Sequence, residues 1–246
     1  MAATIGAAKN IVVLGGGPVA IELSGEIKHK HPNTNVTVVT NASALCHNMN
    51  FSADASAKIV QTLKSVGVET VVSTPIDLGV HANDSLIVHS PPKTLSAHLV
   101  DVDLVVNCTG SVPNTQFLPR DLLDARGQVK VNEFLQVSAN VFAIGDCADV
   151  KEPKNFVNVC GKDYMPGMPV GHSDVVAANI KALAAQQPLT AYTPNSYVAG
   201  IIPVGPTASV TVGFPDEYGQ YKAASYFYEA QFQFAKAAVF PPKPSL

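Results

Sequence analysis

Residues 11–22 read I-V-V-L-G-G-G-P-V-A-I-E, and the fold turns on this stretch. Asn10–Leu14 is an apolar run without alternation, as in a strand buried on both faces of a parallel sheet. It breaks into three glycines. Val19, Ile21, Leu23 and Ile27 then fit a helix packed on that strand, stopping near His31-Pro32 because proline cannot continue it. Gly15-Gly16-Gly17-Pro18-Val19-Ala20 fits G-x-G-x-x-A, and each small residue has a mechanical reason. Gly15 permits a sharp exit from the strand, Gly17 lets backbone approach a pyrophosphate, and Ala20 lets the helix lie close. The helix opening at Pro18 offers unpaired amides and about half a positive charge to phosphates.

The pattern continues outward. Val36–Val39 reads as a second strand. Ser52–Ser65 reads as a helix capped by Ser52, apolar at Ile59, Val60 and Leu63 and ended by Gly67. Val68–Val72 is a third strand, and this β-α-β-α-β order implies right-handed crossovers. Ser85–Val88 and Leu95–Val100 read as an inserted strand pair, and Asp103–Asn107 as another buried strand running into Cys108-Thr109-Gly110. At the end of the second strand, where an acidic residue normally holds the ribose of NAD, the chain has Thr40-Asn41. Both fit a ribose contact and a solvated strand end, and NAD is not separated from NADP.

Composition narrows the class. In 246 residues, 47% are hydrophobic and 14% charged, which suits an ordered α/β protein. A net charge of −3 leaves no basic footprint for nucleic acid. No apolar run spans a bilayer and residues 1–9 lack a signal-peptide pattern, so the expected location is cytoplasmic. Cys46, Cys108, Cys147 and Cys160 form no C-x-x-C pair, so reduced structural thiols are expected. The histidines show no metal-ligand spacing and read as scattered surface groups, and no metal site is expected.

Beyond the loop at Pro113-Asn114 and Pro119, Val129–Val131 and Val141–Ile144 read as strands, and Asp174–Ala185 as a helix closed by Pro188. Val198–Val204 and Ser209–Val212 read as a terminal strand pair, and the aromatic-rich segment 213–246 follows. A second signature, N-V-F-A-I-G-D-C-A-D, occupies Asn140–Asp149.

With G-G-G-P-V-A-I-E-L-S-G-E-I at Gly15–Ile27, N-C-T-G-S-V-P-N-T at Asn107–Thr115 and V-N-E-F-L-Q-V at Val131–Val137, that signature resembles a known group. It is the apoptosis-inducing-factor-like flavoproteins, in the ferroptosis-suppressor (AMID) branch of the FAD-dependent pyridine nucleotide-disulfide oxidoreductase superfamily. The resemblance implies an NAD(P)H-binding Rossmann domain over 1–115, with a parallel sheet and the inserted strand pair. It implies the C-terminal part of a second, FAD-binding Rossmann half over 116–212. Gly15, Gly16, Gly17, Pro18 and Ala20 would then bind the NAD(P)H pyrophosphate, with Thr40 at the ribose and Thr109 and Gly110 lining the crevice. Glu22 would be the catalytic residue near the nicotinamide, and Gly145 and Asp146 would hold FAD. From the residues alone, Glu22 equally fits a first-turn glutamate favoured by the helix dipole, and Asp146 a helix N-cap.

The implied chemistry is hydride transfer from NAD(P)H to FAD, then electron delivery to a small quinone-like acceptor, with peripheral membrane contact by the C-terminal region, whose aromatic residues equally fit core and dimer contacts. A disulfide reductase is disfavoured, since its catalytic histidine would lie near the C-terminus and the last one is His172. The resemblance also places the front half of the FAD domain before Asn10, where this sequence has nine residues. A truncated family member is therefore expected, with a non-catalytic dinucleotide-binding module or an inactive fragment as the alternatives.

Overall fold

The computed structural model describes residues 2–49, 51–76, 87–89, 99, 101–110, 112–153, 156–164, 169–196, 198, 200–206 and 208–212. In chain order the elements are α1 (Ala2–Ala7), β1 (Asn10–Leu14), α2 (Pro18–Lys30), β2 (Asn35–Val39), α3 (Ala53–Ser65), β3 (Val68–Val71), β4 (Ile87–His89) and β5 (Leu104–Asn107). They continue as β6 (Gln136–Ser138), β7 (Val141–Phe142), α4 (Phe156–Tyr164), α5 (His172–Ala184), β8 (Gly200–Pro203) and β9 (Ser209–Val212). Two compact units result: 1–110 with the described residues from 201 to 212, and 111–200.

In the first unit one sheet runs in the order β3-β2-β1-β5-β4. β1 lies parallel to β2 and β5, and β2 parallel to β3, while β4 closes the edge antiparallel to β5. The chain winds to one side of β1 through β2 and β3, then returns to the other side at β5. Sheets of this kind open a crevice beyond the carboxyl ends of the strands where the winding reverses. Alternate residues of β1 enter different cores, as its continuous apolar run requires. Ile11 and Val13 join Val36, Val38 and Leu104, and Val12 and Leu14 join Val39 and Val105.

Helix α2 buries Ala20, Ile21, Ser24, Gly25 and Ile27. Complete burial of Ile21 contributes about 1.5–3 kcal/mol. Val19, expected on this face, is instead 62% exposed. A helical face recurs every three or four residues, so a stripe through Ile21, Ser24 and Ile27 turns Val19 outward. Helix α3 is capped as expected, with Ser52 Oγ accepting from the Ala55 N–H at 3.2 Å and Ile59 and Leu63 buried.

The other expectations fare differently. The inserted pair is seen only as β4, paired with β5; residues 85–86, 95–98 and 100 lie outside the described residues. Val129–Val131 is not a strand: Val129 makes single bridges to Leu123, across the turn at Asp124–Gly127, and to Ala148, and neither pairing extends into a ladder. Val141–Ile144 shortens to β7, paired with β6, since the backbone turns at Gly145. The terminal pair forms as β8–β9, but it packs with the first unit rather than with 116–212. Ile202, Val204 and Val210 join the core of Ile21 and Leu63. Gly25 permits this, because a Cβ there would lie 2.3 Å from the Gly205 nitrogen. The aromatic-rich segment 213–246 lies outside the described residues. Among the described residues, no helix is long and apolar enough to cross a membrane.

Candidate functional site

A cleft of about 390 Å³ opens over the carboxyl ends of β1, β2 and β5, within the usual range of ~300–1,000 Å³ for small-molecule sites. Gly15, Gly16, Gly17, Thr40, Asn41, Thr109 and Gly110 all line it. Seven of the residues singled out in the sequence thus come to one place.

The three glycines do different work. Gly15 has φ +122°, and a Cβ there would sit 2.2 Å from the Cys108 carbonyl oxygen, so only glycine fits. Its N–H donates to the Val39 carbonyl at 2.8 Å, which ties the turn to β2. At Gly16 a Cβ would lie 2.9 Å from Thr40 Oγ1. Gly17 is in ordinary extended backbone, φ −86°, and a Cβ there would meet no protein atom within 4 Å. Nothing in the fold demands glycine at 17. The missing side chain leaves open the space above the first turn of α2. The Gly16 and Gly17 N–H groups have no acceptor among the described residues, and they add their partial charge to that of the helix terminus.

Thr40 is buried, and its hydroxyl oxygen accepts from the Ala42 N–H at 3.2 Å, so it shapes the loop. Asn41 is the exposed residue at this strand end. On the far wall Asn107 Oδ1 accepts from both the N–H and the hydroxyl of Thr109, at 3.2 and 2.7 Å, fixing the Thr109-Gly110 corner. Pro18 and Ala20 lie in the first turn behind the glycines. Glu22 lies past the first turn of α2, half-buried and off the cleft lining, which removes the first-turn reading. Its charge and, above all, burial push the Cys46 thiol up to about 12.

Sequence reasoning missed the segment Ala44–Met49, which forms a wall of the cleft. Cys46, at φ +55°, donates its N–H to the Gly16 carbonyl at 2.7 Å and pins the segment to the glycine turn. The small residues Ala42, Ser43 and Ala44 after β2 are the only trace of it in the sequence.

Gly145 and Asp146 lie in the second unit and are described by themselves. Gly145 has φ +73° and opens a short 3₁₀ turn, Gly145–Cys147. Ile144, not Asp146, occupies the N-cap position, so the capping reading fails. Asp146 is exposed, and its carboxylate takes no hydrogen bond from a described residue; only its backbone carbonyl is used, by Gln128 Nε2 at 2.9 Å. Behind the turn, His172 is fully buried, contrary to the surface placement expected of the histidines. Its Nε2 lies 2.8 Å from Glu152 Oε1, while Glu152 Oε2 accepts from the Tyr192 hydroxyl at 2.6 Å and the Asn195 N–H at 3.1 Å. Burial pushes the Glu152 carboxyl up, but these donors outweigh it and hold it below the ordinary range.

Residues 2–165 match the family model described as pyridine nucleotide-disulphide oxidoreductase. The chain belongs to this family. Ferroptosis suppressor protein 1 of Homo sapiens is 31% identical over 192 residues, covering 76% of this chain and 48% of that protein. A FAD-dependent oxidoreductase of Flammulina velutipes is 31% identical over 204 residues, covering 80% of this chain and 58% of the relative. The chain thus spans about half the length of the curated relatives it matches. Among solved structures, a FAD-dependent pyridine nucleotide-disulphide oxidoreductase from Desulfovibrio vulgaris superposes with a TM-score of 0.53 at 23% identity, covering 80% of this chain and 47% of that one. That likeness shows the shared fold, and the relatives bear out the resemblance to the ferroptosis-suppressor branch. In this member of the family all four cysteines are free, and burial raises the thiols of Cys46, Cys108 and Cys160. Among the described residues, no group of three or more histidines, cysteines and carboxylates could hold a metal ion.

Proposed function

We propose that this chain provides the nicotinamide-nucleotide site of an FAD-dependent oxidoreductase that passes electrons from NAD(P)H to a quinone-type acceptor. The observation that carries the reading is Gly17, where an open space lies over two unpaired amides at a helix N-terminus. A diphosphate fits that cradle by shape and charge. Among the described residues lining the cleft there is no Asp, Glu, Lys or Arg, so none of these tells a ribose 2′-hydroxyl from a 2′-phosphate by a formal charge. The exposed Asn41 amide suits a contact to either, and on this reading the Thr109-Gly110 corner bounds the nicotinamide end.

The exposed Asp146 carboxylate, following a left-handed glycine, suits the hydroxylated chain of a flavin, and the 3₁₀ turn presents amides beside it. Together the cofactors supply hydride donation and onward electron transfer. The protein's part is to bind and align them; among the described residues no activated side-chain nucleophile is found at the cleft. With NADH, full-length protein should take up FAD and show a flavin absorbance that bleaches and then recovers on adding a water-soluble quinone. Asp146→Asn should keep NADH binding and lose flavin. Calorimetry that registers neither nucleotide would remove the reading.

A second reading, a nucleotide-binding module without flavin, is favoured by one fact: every described residue lining the cleft belongs to the first unit. Binding of NADH with no flavin retained by fresh protein would select it.

A further inference from the structure

The fully buried His172 plays no part in the nucleotide cleft, yet it meets the turn that carries Asp146. Its Nδ1 lies 3.1 Å from the Gly145 nitrogen. A backbone N–H can only donate, so Nδ1 must carry a lone pair. The ring proton then sits on Nε2 and is donated to Glu152 Oε1 at 2.8 Å. A second proton on Nδ1 would set two N–H groups against each other. The other groups facing the ring agree with this assignment. Glu152 is occupied on its second oxygen by Tyr192 and Asn195, and the Tyr192 ring meets the imidazole edge-on at a centroid distance of 4.8 Å. On its own helix, Asp174 Oδ2 accepts from the Gly171 and Lys162 amides.

We propose that His172 is a positioning residue: a neutral imidazole, locked as the Nε2–H tautomer by Glu152, whose Nδ1 lone pair holds the Gly145–Asp146 turn in its left-handed bend. Gly145 is the first residue of a turn with no side-chain cap, so its N–H has no acceptor within the turn and the imidazole supplies one. The Glu152, Tyr192 and Asn195 shell fixes which nitrogen is bare, as outer-shell partners fix the tautomer of a histidine at a metal. The consequence for cofactor rests on the flavin reading of Asp146; the hold on the turn does not.

Two variants separate the roles. His172→Asn keeps an acceptor near the position of Nδ1 and loses the contact to Glu152; His172→Leu loses both. In full-length protein labelled with ¹⁵N, a coupling across the hydrogen bond should join Gly145 N to His172 Nδ1. The Gly145 amide should exchange about tenfold faster in His172→Leu than in His172→Asn, the change expected for one neutral hydrogen bond. Circular dichroism and the exchange of core β1 amides show whether each variant folds. No coupling and an unprotected Gly145 amide in the unaltered protein overturn the proposal without requiring either variant. Equal exchange in two folded variants overturns it as well. FAD titration by flavin fluorescence adds the cofactor arm, with weakening in His172→Leu and recovery in His172→Asn. A protected Gly145 with FAD affinity unchanged throughout supports the hold and sinks the flavin reading of Asp146 instead.

Discussion

Replacing Gly17 with alanine separates what the fold needs from what a ligand needs. The new Cβ would meet no protein atom within 4 Å, and φ −86° suits any residue. Alanine narrows the unfolded ensemble, worth about 0.4–1 kcal/mol, and loses a similar amount as a poorer N-cap. The two nearly cancel, so the melting temperature should move by no more than about 2–4 °C. The same methyl group occupies the space through which a diphosphate would reach the Gly16 and Gly17 amides. Hydrogen bonds to charged groups are worth about 1.5–3 kcal/mol each, so losing one or two weakens NADH by about 10- to 100-fold or more. Gly15→Ala is the contrast: its Cβ would lie 2.2 Å from a backbone oxygen at φ +122°. Strain and overpacking of about 1–3 kcal/mol each should together lower its melting temperature by roughly 4–24 °C. Calorimetric titration with NADH beside thermal melts reads both quantities. A Gly17→Ala protein that melts normally and binds NADH as tightly as the unaltered chain refutes the cradle.

Glu152 is held below the ordinary glutamate range, so its contribution to stability is complete above about pH 5 and declines as pH falls through that range and below. Urea midpoints between pH 3 and pH 7 should drop on the acid side, and Glu152→Gln should flatten that part of the profile; an unaltered profile contradicts the buried network. Cys46 works in the opposite direction. With its thiol pushed up to about 12, its neutral form favours the fold below the ordinary thiol value, and the benefit is lost as pH rises toward 12. At pH 8 Cys46 carries about a thousandfold less thiolate than a free cysteine, so iodoacetamide should leave it unmodified until urea unfolds the chain; rapid native alkylation contradicts its burial.

Much of the first unit was legible in the sequence because its signals are local. The non-alternating run Asn10–Leu14, the glycine turn, the Ser52 cap and the Gly67 stop each act within a few residues, and each fell within a residue or two of its expected place. The second unit was harder to read. Val129 has the composition of a strand, yet its pairing is limited to bridges with Leu123 and Ala148. The hairpin Gly200–Val212 was recognised but given to the wrong neighbour, because the deciding contact joins Gly25 to Gly205 across a long stretch of chain.

The sequence by itself determined the strand–turn–helix, the parallel winding and the glycine cradle, since backbone sterics and local periodicity settle these. Only the tertiary structure decided the rest. It brought Cys46 over Gly16 and kept Glu22 off the cleft lining. It also buried His172 against Gly145. Those placements rest on contacts between residues far apart in the chain, where each side chain takes the partner that long-range packing brings within reach.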